Sequence, residues 1–551
     1  MDPNSSDEAQ LAALGLRSEL RRSFSTLSML GLAFAVLNTW TAVSASLPVS
    51  LTSGGSTSII WGLFAAGLCN LCIAASLAEL LSAYPTCRGQ YHWVAASTTI
   101  SLIPDFTRSV LTVCLQVSWP SWMPLLSWIN GWIAIAGWVR PLHIQISSPV
   151  TYILTRPPSQ VALVATNALL SSQLIVGIVS LLRPSYEAQR WHQFLIYTAL
   201  TMLSFLVNAF LNSLLPLIYR GAFAWSIGGF VVACVVMLAC SSPDFHSADF
   251  VFGQFINRTG WPDGVAWLLG LLQGGLGVTA FDAVAHMIEE IPQASLQGPK
   301  IMMLCVIIGT VTGAIFLAVL LSVSGNMESV ISSSAGPLLQ ILVNATGNAA
   351  GAVCLVMLPL VCLVFALLSV MTTSSRIIYA FARDGGLPAS TVFARVHPKL
   401  GQPLNALALS SAVVVLFGLI FMASSSAFNA IMSSSVVALD LSYAMPIAIR
   451  CLRGRSRLVQ GQWKLSPVLG WTVDVVSLAY ITLTTFLFLL PPVRPVTGTN
   501  MNYCVVAFAV VIVVSVLQWL VDGRKKFVGP RLGGFDSAEE RHEPSEKEEK
   551  K

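Results

Sequence analysis

The chain has 551 residues, of which only 10% are charged and 55% are hydrophobic, and its mean hydropathy is +0.74. Soluble domains have roughly a quarter of their residues charged, so this composition excludes a water-soluble protein of this size. The apolar runs are too long for barrel strands, so the sequence predicts an all-α protein that spans the lipid bilayer. The net charge of +5 points to no nucleic-acid partner, because the charges lie in loops.

The residues that would carry chemistry in an enzyme form no recognisable pattern. The eleven cysteines have neither disulfide nor metal-ligand spacing, and several lie within apolar runs as small core residues. No nucleotide-binding loop or catalytic triad motif occurs along the chain. We therefore predict no catalytic residue, no metal site and no cofactor, and transport powered by ATP within this chain is disfavoured.

Runs of about 20 apolar residues, each long enough to cross a bilayer as a helix, follow one another along the chain. Twelve spans are predicted, the third of them interrupted: 24–50, 57–82, 120–182, 191–218, 222–242, 264–290, 301–324, 349–380, 404–423, 427–450, 471–491 and 501–521. Together they make a membrane domain over 24–528, flanked by polar, disordered ends at 1–23 and 529–551.

Two stretches do not fit the pattern of spans. Residues 140–160 interrupt an apolar helix with prolines and arginines, and residues 97–116 separate two apolar segments in the same way. Proline and charge facing lipid are costly. One hypothesis is that both are translated introns, and the alternative is that they are genuine loops folded beside the bundle.

The distribution of Lys and Arg predicts that both termini are cytoplasmic. With the N-terminus inside, nineteen Lys and Arg between Arg17 and Arg531 fall on the inner side of the spans, and the outer loops hold only four, Arg183, Arg190, Arg258 and Arg494. Positive charge collects on the cytoplasmic side of membrane proteins. Two glycosylation sequons, at Asn257 and Asn344, both fall in loops that this topology places outside.

Two spans have unusually polar or glycine-rich middles. The first contains Asn38 to Ser46, with four Ser or Thr residues, and the sixth contains Gly270, Gly274 and Gly275 before 277–282. Discontinuous helices at corresponding positions of two repeats form the midplane site of many transporters, where freed backbone groups bind the solute. The alternative is that small residues simply allow close helix packing.

Five segments give the chain a specific resemblance. It resembles the amino acid/choline transporter branch of the amino acid–polyamine–organocation permeases, which includes fungal GABA and choline permeases. The matching segments are NTWTAVSASLPVSLTSGG (38–55), SLAELLSAYPTCRGQYHWVAA (76–96), AFDAVAHMIEEIPQASLQGPK (280–300), MTTSSRIIYAFARDGGLP (371–388) and NMNYCVVAFAVVIVVSVLQWLVDGRK (500–525).

The resemblance implies a fold of two inverted five-helix repeats with two further helices appended. It implies a plasma-membrane secondary transporter that imports an amino acid, GABA, choline or polyamine-like solute by alternating access, coupled to protons. A transport-inactive nutrient sensor of the same fold is the alternative. The unwound, substrate-binding segments that it implies are Thr41, Ala42, Val43, Ser44 and Ala45 in the first span, and Gly277, Val278, Thr279, Ala280, Phe281 and Asp282 in the sixth.

Two residues of the sixth span have competing interpretations. Phe281 matches the aromatic position that shields the bound solute in such permeases, and its alternative role is an ordinary core aromatic. Asp282 stands where a second half-helix begins, so it is predicted either to cap the free amides of that helix or to contact a substrate ammonium.

Further titratable residues of the sixth span are candidates for proton coupling or gating. His286 and Glu290 follow Asp282 at steps of four residues on one helix face, with Glu289 beside it. This stripe is interpreted as a proton relay or as a gate closed by ion pairs.

Three carboxylates lie in other spans. Asp440 falls in the middle of the tenth span, where an intramembrane carboxylate is a functional candidate by default; a hydrogen-bonded packing role is the alternative. Glu79, at the inner end of the second span, is predicted to pair with an inner-loop arginine. Asp474, at the inner end of the eleventh span, is predicted to be reached by water.

Overall fold

A computed structural model of the chain describes most of the membrane domain. The described residues are 22–45, 47–99, 124–133, 159–183, 185–333, 335–387, 389–455, 461–497 and 501–504, with scattered positions between 509 and 527. The polar ends fall outside this set, except for residues 22 and 23. Most of the two atypical stretches, 97–116 and 140–160, also falls outside this set, so the choice between translated introns and genuine loops rests on the sequence alone.

The described residues form helices and, apart from isolated bridges at Ser53–Asn257 and His397–Gln402, no β-structure. The longer helices, with the two halves of each interrupted span, are α1 Thr26–Leu37, α2 Thr39–Ala45, α3 Gly55–Ala83, α4 Ser159–Leu182, α5 Arg190–Phe210, α6 Leu215–Ser241, α7 Asp263–Gly275, α8 Ala283–His286, α9 Ala294–Ser322, α10 Ala349–Arg383, α11 Leu404–Ala423, α12 Ser425–Arg453 and α13 Pro467–Leu489. Shorter helices occupy Leu47–Thr52, Gln90–Thr99, 124–133, Ala248–Gly253, Met327–Ser332, Pro337–Thr346 and Ser390–Phe393, with 3₁₀ turns at Asn212–Leu214 and Ile288–Glu290.

Ten helices within the described residues are long and apolar enough to cross a membrane, with Thr26–Ser44 counted as one span. This confirms the all-α membrane fold and ten of the twelve predicted spans. The sixth span is divided into α7 and α8, which are short individually. The twelfth lies largely outside the described residues. The boundary between the fourth and fifth spans lies at 211–214 rather than at 219–221.

The first helix is interrupted at Asn38. A reciprocal pair of hydrogen bonds between Ser25 and Ser28 begins α1. Asn38 then adopts a left-handed conformation with φ 45°, and the chain re-enters a helix at Thr39. Asparagine tolerates this conformation better than most residues. The interruption therefore comes before Thr41–Ala45, and the prediction that those five residues are unwound is wrong, because they lie within α2.

The sixth span is interrupted where the sequence predicted it. Helix α7 ends at Gly275, the segment 276–282 has no regular helix, and α8 begins at Ala283. Ala280 has φ 65° within this segment, so the backbone reverses its helical sense there. This confirms the predicted break over Gly277–Asp282 as a feature of the backbone.

Glycines outside the break have the packing role that was the alternative interpretation. A Cβ added to Gly270 would lie 1.8 Å from the carbonyl oxygen of Ser53, and one added to Gly274 would lie 2.4 Å from the amide nitrogen of Leu63. Only glycine allows α7 to approach the backbone at Ser53 and Leu63 this closely. The sixth span thus combines close packing in its first half with an interruption in its middle.

Candidate functional site

The two interrupted helices meet directly. The Thr39 hydroxyl, on the first residue after the first break, donates a hydrogen bond of 2.5 Å to the carbonyl oxygen of Gly277, within the second break. Thr39 is fully buried. Space for it is provided by α9, because a Cβ added to Gly309 would lie 2.4 Å from the Thr39 hydroxyl, and one added to Gly313 would lie 2.8 Å from its methyl group.

Two polar side-chain atoms at the breaks have no hydrogen-bond partner within 3.5 Å among the described residues. These are the amide nitrogen of Asn38 and the hydroxyl of Thr279, both buried. A buried polar atom without a partner is costly, by about 1–3 kcal/mol. Such atoms beside two interrupted helices are available to bind a polar solute.

The residues of the first span that were predicted to contact substrate form a regular helix, and their hydroxyls bond to its backbone. The Thr41 hydroxyl donates to the carbonyl of Asn38, and the Ser44 hydroxyl donates to that of Thr41. These bonds turn both hydroxyls toward their own backbone. Asn38 and Thr39, which the substrate-binding prediction did not include, carry the interruption and the contact with the sixth span.

Phe281 and Tyr443 form a buried aromatic pair behind the second break. Their ring centroids are 5.4 Å apart with an interplanar angle of 29°, and both side chains are fully buried. Tyr443 comes from α12 and was not identified from the sequence, since an aromatic residue in an apolar helix gives no signal of its own. Stacked aromatic faces suit both core packing and contact with a cation, so the two interpretations of Phe281 both remain.

Asp282 is held by three side chains from three parts of the chain. It accepts hydrogen bonds of 2.6 Å from the Tyr443 hydroxyl and 2.6 Å from the Gln90 side-chain amide, and its Oδ2 lies 3.3 Å from His286 Nε2. Asp282 makes no side-chain cap to α8. The capping interpretation is therefore wrong, because the carboxylate points to these partners instead of to the helix amides.

Ion pairs close the bundle at the end that holds Arg88, Arg376, Arg383 and Arg450, which we call the arginine-rich end. Arg376 Nε lies 2.9 Å from Glu290 and Arg383 lies 3.6 Å from Glu289. A third pair joins Arg88 to Asp384 at 2.6 Å. These pairs connect the loop after α3, the segment after α8 and the end of α10.

The backbone reinforces the same closure. The Cys87 amide donates to Glu289, His286 Nδ1 lies 3.1 Å from the Cys87 carbonyl oxygen, and the Phe24 amide donates to the Glu290 carbonyl. Both Glu289 and Glu290 are buried. In the stripe from Asp282 to Glu290, Glu289 and Glu290 thus make the ion pairs expected of a gate, while Asp282 and His286 contact each other.

Asp440 lines a small cavity beside the second break. The cavity has room for about one water molecule. Its lining includes Asn70 from α3, Thr279 from the break, and Tyr480 and Thr484 from α13. The Thr484 hydroxyl lies 3.4 Å from Asp440 Oδ2, and Asp440 forms no ion pair with a described residue. This polar pocket agrees with the intramembrane position predicted for the carboxylate.

A separate network connects α3, α12 and α13. Arg450 lies 3.1 Å from Glu79 and also pairs with Asp474, while Arg455 pairs with both carboxylates. The pairing predicted for Glu79 is confirmed. The prediction for Asp474 is wrong, because its side chain is fully buried and is held by two arginines and Ser76.

The two sequons differ in their surroundings. Asn344 is exposed, and its amide nitrogen donates one hydrogen bond, to the Ser324 carbonyl. The amide nitrogen of Asn257 donates two, to the Trp261 carbonyl and to Asp263, and the hydroxyl of Thr259 in the same sequon donates to Asn257. Asn344 therefore keeps one amide hydrogen that donates to no described residue, although its sequon lies in the short helix Pro337–Thr346, whereas the Asn257 amide is engaged twice within a loop.

The fold is that of a multi-pass membrane protein built around two interrupted helices. Residues 24–515 match the amino acid permease family, and the chain belongs to it. It is 32% identical to a choline transporter of Saccharomyces cerevisiae over 92% of this chain and 83% of that protein.

Two further relatives cover a similar part of the chain. A putative amino acid/polyamine transporter of Macrophomina phaseolina is 32% identical over 86% of this chain and 96% of that protein. An amino-acid permease of Arabidopsis thaliana is 27% identical over 95% of this chain and 96% of that protein. These matches confirm the resemblance to fungal permeases of the amino acid–polyamine–organocation superfamily.

Proposed function

We propose that this permease imports a small amine-bearing solute across the plasma membrane and that a proton gradient drives the import. The solute is an amino acid, GABA, choline or a polyamine-like cation. The arginine-rich end faces the cytoplasm, together with both termini, and the solute passes by alternating access. The observation that carries this proposal is the contact of the two interrupted helices at Thr39 and Gly277, beside buried polar groups that have no partner.

The chemistry around the contact suits a solute with a positive end. Asp282 supplies a buried carboxylate, and the Phe281–Tyr443 pair supplies aromatic faces next to it. Carboxylates and aromatic faces both attract ammonium and quaternary ammonium groups. The relatives are named as a choline transporter, a putative amino acid/polyamine transporter and an amino-acid permease. Choline, amino acids and polyamines all carry an ammonium group.

The unpartnered amide of Asn38 suits the opposite end of an amino acid. Its nitrogen is a hydrogen-bond donor, and a solute carboxylate is an acceptor that would satisfy it. Choline has an ammonium group and a hydroxyl group but no carboxylate. The side chain of Asn38 therefore offers a way to separate the two solute classes.

Uptake of labelled solutes by cells that lack their own amine permeases tests the proposal. We expect the parent protein to accumulate at least one amine, and we expect Asn38→Gly to lower uptake of amino acids or GABA more than uptake of choline. Glycine keeps the left-handed backbone that Asn38 adopts and removes only the amide. If the parent reaches the plasma membrane and accumulates none of these amines, import is excluded and the sensor alternative takes its place.

A further inference from the structure

Asp282 differs from the other buried carboxylates at the arginine-rich end. Glu289, Glu290 and Asp384 each pair with an arginine. Among the described residues, the one basic group within 4.0 Å of Asp282 is His286, and both side chains are almost fully buried. A buried carboxylate is strongly disfavoured unless a positive charge or a proton accompanies it. Neutralising Asp282 therefore depends on His286.

The two ring nitrogens of His286 both face acceptors. Nδ1 lies 3.1 Å from the Cys87 carbonyl oxygen, which can only accept, and Nε2 lies 3.3 Å from Asp282 Oδ2. A neutral imidazole carries a hydrogen on one nitrogen only, whereas an imidazolium carries one on each. Both contacts are hydrogen bonds only if His286 and Asp282 together hold one more hydrogen than a neutral ring beside an ionised carboxylate.

The groups around the pair do not supply an alternative. From α12, Tyr443 donates to Asp282, and Gln90, at the start of the short helix that follows the loop after α3, does the same. Arg88 of that loop pairs with Asp384. The remaining charged groups are paired with one another: Arg376 with Glu290, and Arg383 with Glu289.

The ring is also fixed in place by the loop. A Cβ added to Gly89, whose φ is 58°, would lie 2.7 Å from His286 Cε1. The loop backbone therefore packs on the imidazole ring. The contact at Nδ1 and the packing on the ring come from the same short segment, 87–89, which also forms part of the closure at this end.

We propose that Asp282 and His286 hold the proton that accompanies the solute, as an imidazolium paired with a carboxylate in the conformation that is closed at the arginine-rich end. This assignment rests on the proposed function, and it names the group that couples the proton to transport. When this end opens, the loop takes the Cys87 carbonyl away from the pair, and the helix that begins at Gln90 takes the Gln90 amide away. An N–H bond of His286 then breaks as an O–H bond of water forms, and the positive charge leaves toward the cytoplasm.

Uptake measured across external pH tests the coupling. We expect parent uptake to rise as the external pH falls, because a larger proton gradient then drives protons inward together with the solute. His286→Gln should lose this rise while it still exchanges labelled for unlabelled solute. Asp282→Asn should also lose the rise, and its exchange should fall as well, because the proposed function has its buried carboxylate attract the solute ammonium. His246→Gln is the matched control, because His246 lies at the opposite end and faces the Gly325 carbonyl.

Two results of this experiment would overturn the assignment. One is an unchanged pH profile in His286→Gln, and the other is a loss of acid stimulation in Asp440→Asn while His286→Gln retains it. If the parent accumulates no amine, the proposed function fails, and a measurement that needs no transport decides the proton assignment.

That measurement is nitrogen NMR of purified protein with labelled histidine rings. At neutral pH we expect a signal from a ring with both nitrogens protonated, absent from His286→Gln and altered in Asp282→Asn. His246→Gln should retain it. A parent spectrum in which the His286 ring has one unprotonated nitrogen would refute the proposal.

Discussion

Thr39 and Gly277 join the two interrupted helices of this permease by a single hydrogen bond of 2.5 Å. The residues are 238 positions apart in the chain, yet each lies within a few residues of a break in its own helix. A movement of either half-helix must stretch or break this bond. The contact is therefore placed to transmit a change in one helix to the other.

Replacing Thr39 with Val should lower transport more than replacing it with Ser. Valine keeps the shape and the methyl group but leaves the Gly277 carbonyl without a donor, at a cost of about 1–3 kcal/mol. Serine keeps the donor. Initial uptake rates, normalised to the amount of protein at the cell surface, measure the difference, and equal rates for the two variants would remove the hydrogen bond from the mechanism.

The glycines around Thr39 supply a matched comparison. Gly309→Ala places a Cβ 2.4 Å from the Thr39 hydroxyl, whereas Gly228→Ala places one where no atom lies within 4 Å. We expect the initial uptake rate per molecule at the cell surface to fall in Gly309→Ala and to stay unchanged in Gly228→Ala.

How much of this site the sequence predicts depends on whether each residue acts locally. The break in the sixth span is predicted, because Gly277 and the residues after it depart visibly from a helical pattern. The break in the first span is misplaced by three residues, since Asn38 interrupts the helix by its own backbone conformation and Ser44 and Thr41 bond within the helix. Polar composition alone does not distinguish these two cases.

Contacts between distant spans are where the sequence fails. Glu79 was correctly expected to pair with an arginine, because the inner loops contain many of them. The sequence predicts that water reaches Asp474, yet Arg450 and Arg455 cover it. Tyr443 and Gln90 were not identified as partners of Asp282, because only the folded bundle brings them together.

Replacing Phe281 with Ala should lower transport per folded molecule more than Phe316→Ala does. Both rings are buried, so both truncations should cost roughly 3–5 kcal/mol of stability. Phe281 stacks on Tyr443 beside the break, whereas Phe316 packs edge-on against Trp40 with their ring centroids 4.9 Å apart. Uptake divided by the amount of folded protein at the membrane separates the effects, and equal losses for the two variants would make Phe281 an ordinary core aromatic.

Removing Asp474 should destabilise the protein strongly. Asp474→Ala leaves Arg450 and Arg455 beside an empty position, and removing one partner of a buried ion pair costs about 3–5 kcal/mol. Glu328→Ala is the control, because its pair with Arg258 is exposed and such pairs contribute about 0–1 kcal/mol. Thermal unfolding of the purified variants measures both, and similar midpoints for the two would contradict the structural role of the network.

Glycosylation should occur more efficiently at Asn344 than at Asn257. A glycan replaces one hydrogen of the side-chain amide, and both hydrogens of Asn257 are engaged, whereas Asn344 keeps one free. Glycosidase-sensitive mobility shifts of Asn344→Gln and Asn257→Gln, each compared with the parent, measure occupancy. Glycosylation at either site also supports the proposed topology, and a tag at the C-terminus that protease reaches on intact cells would refute it.

Alkylation of Cys87 should report opening of the arginine-rich end. Burial raises the pKa of the Cys87 thiol well above its usual range, and the neighbouring Glu289 raises it further. The thiolate is the reactive form, so a raised pKa keeps Cys87 as an unreactive thiol at neutral pH, and reactivity appears only as the pH approaches that raised value. Opening exposes the group, returns its pKa toward about 8.5 and increases the thiolate fraction.

Maleimide labelling of inside-out vesicles near neutral pH measures this change, with Cys87→Ser subtracting the signal of the other cysteines. Labelling should be slow in the parent protein and faster in Glu289→Gln, both because that variant loses the ion pair with Arg383 at 3.6 Å and because the carboxylate no longer raises the pKa of the thiol. A transported solute that favours the open state should act in the same direction. Cys240 is exposed and lies in the opposite half of the protein, so Cys240→Ser should not affect the acceleration. Fast labelling of Cys87 in the parent, unaltered by Glu289→Gln, would show that the ion pairs do not control access to this end.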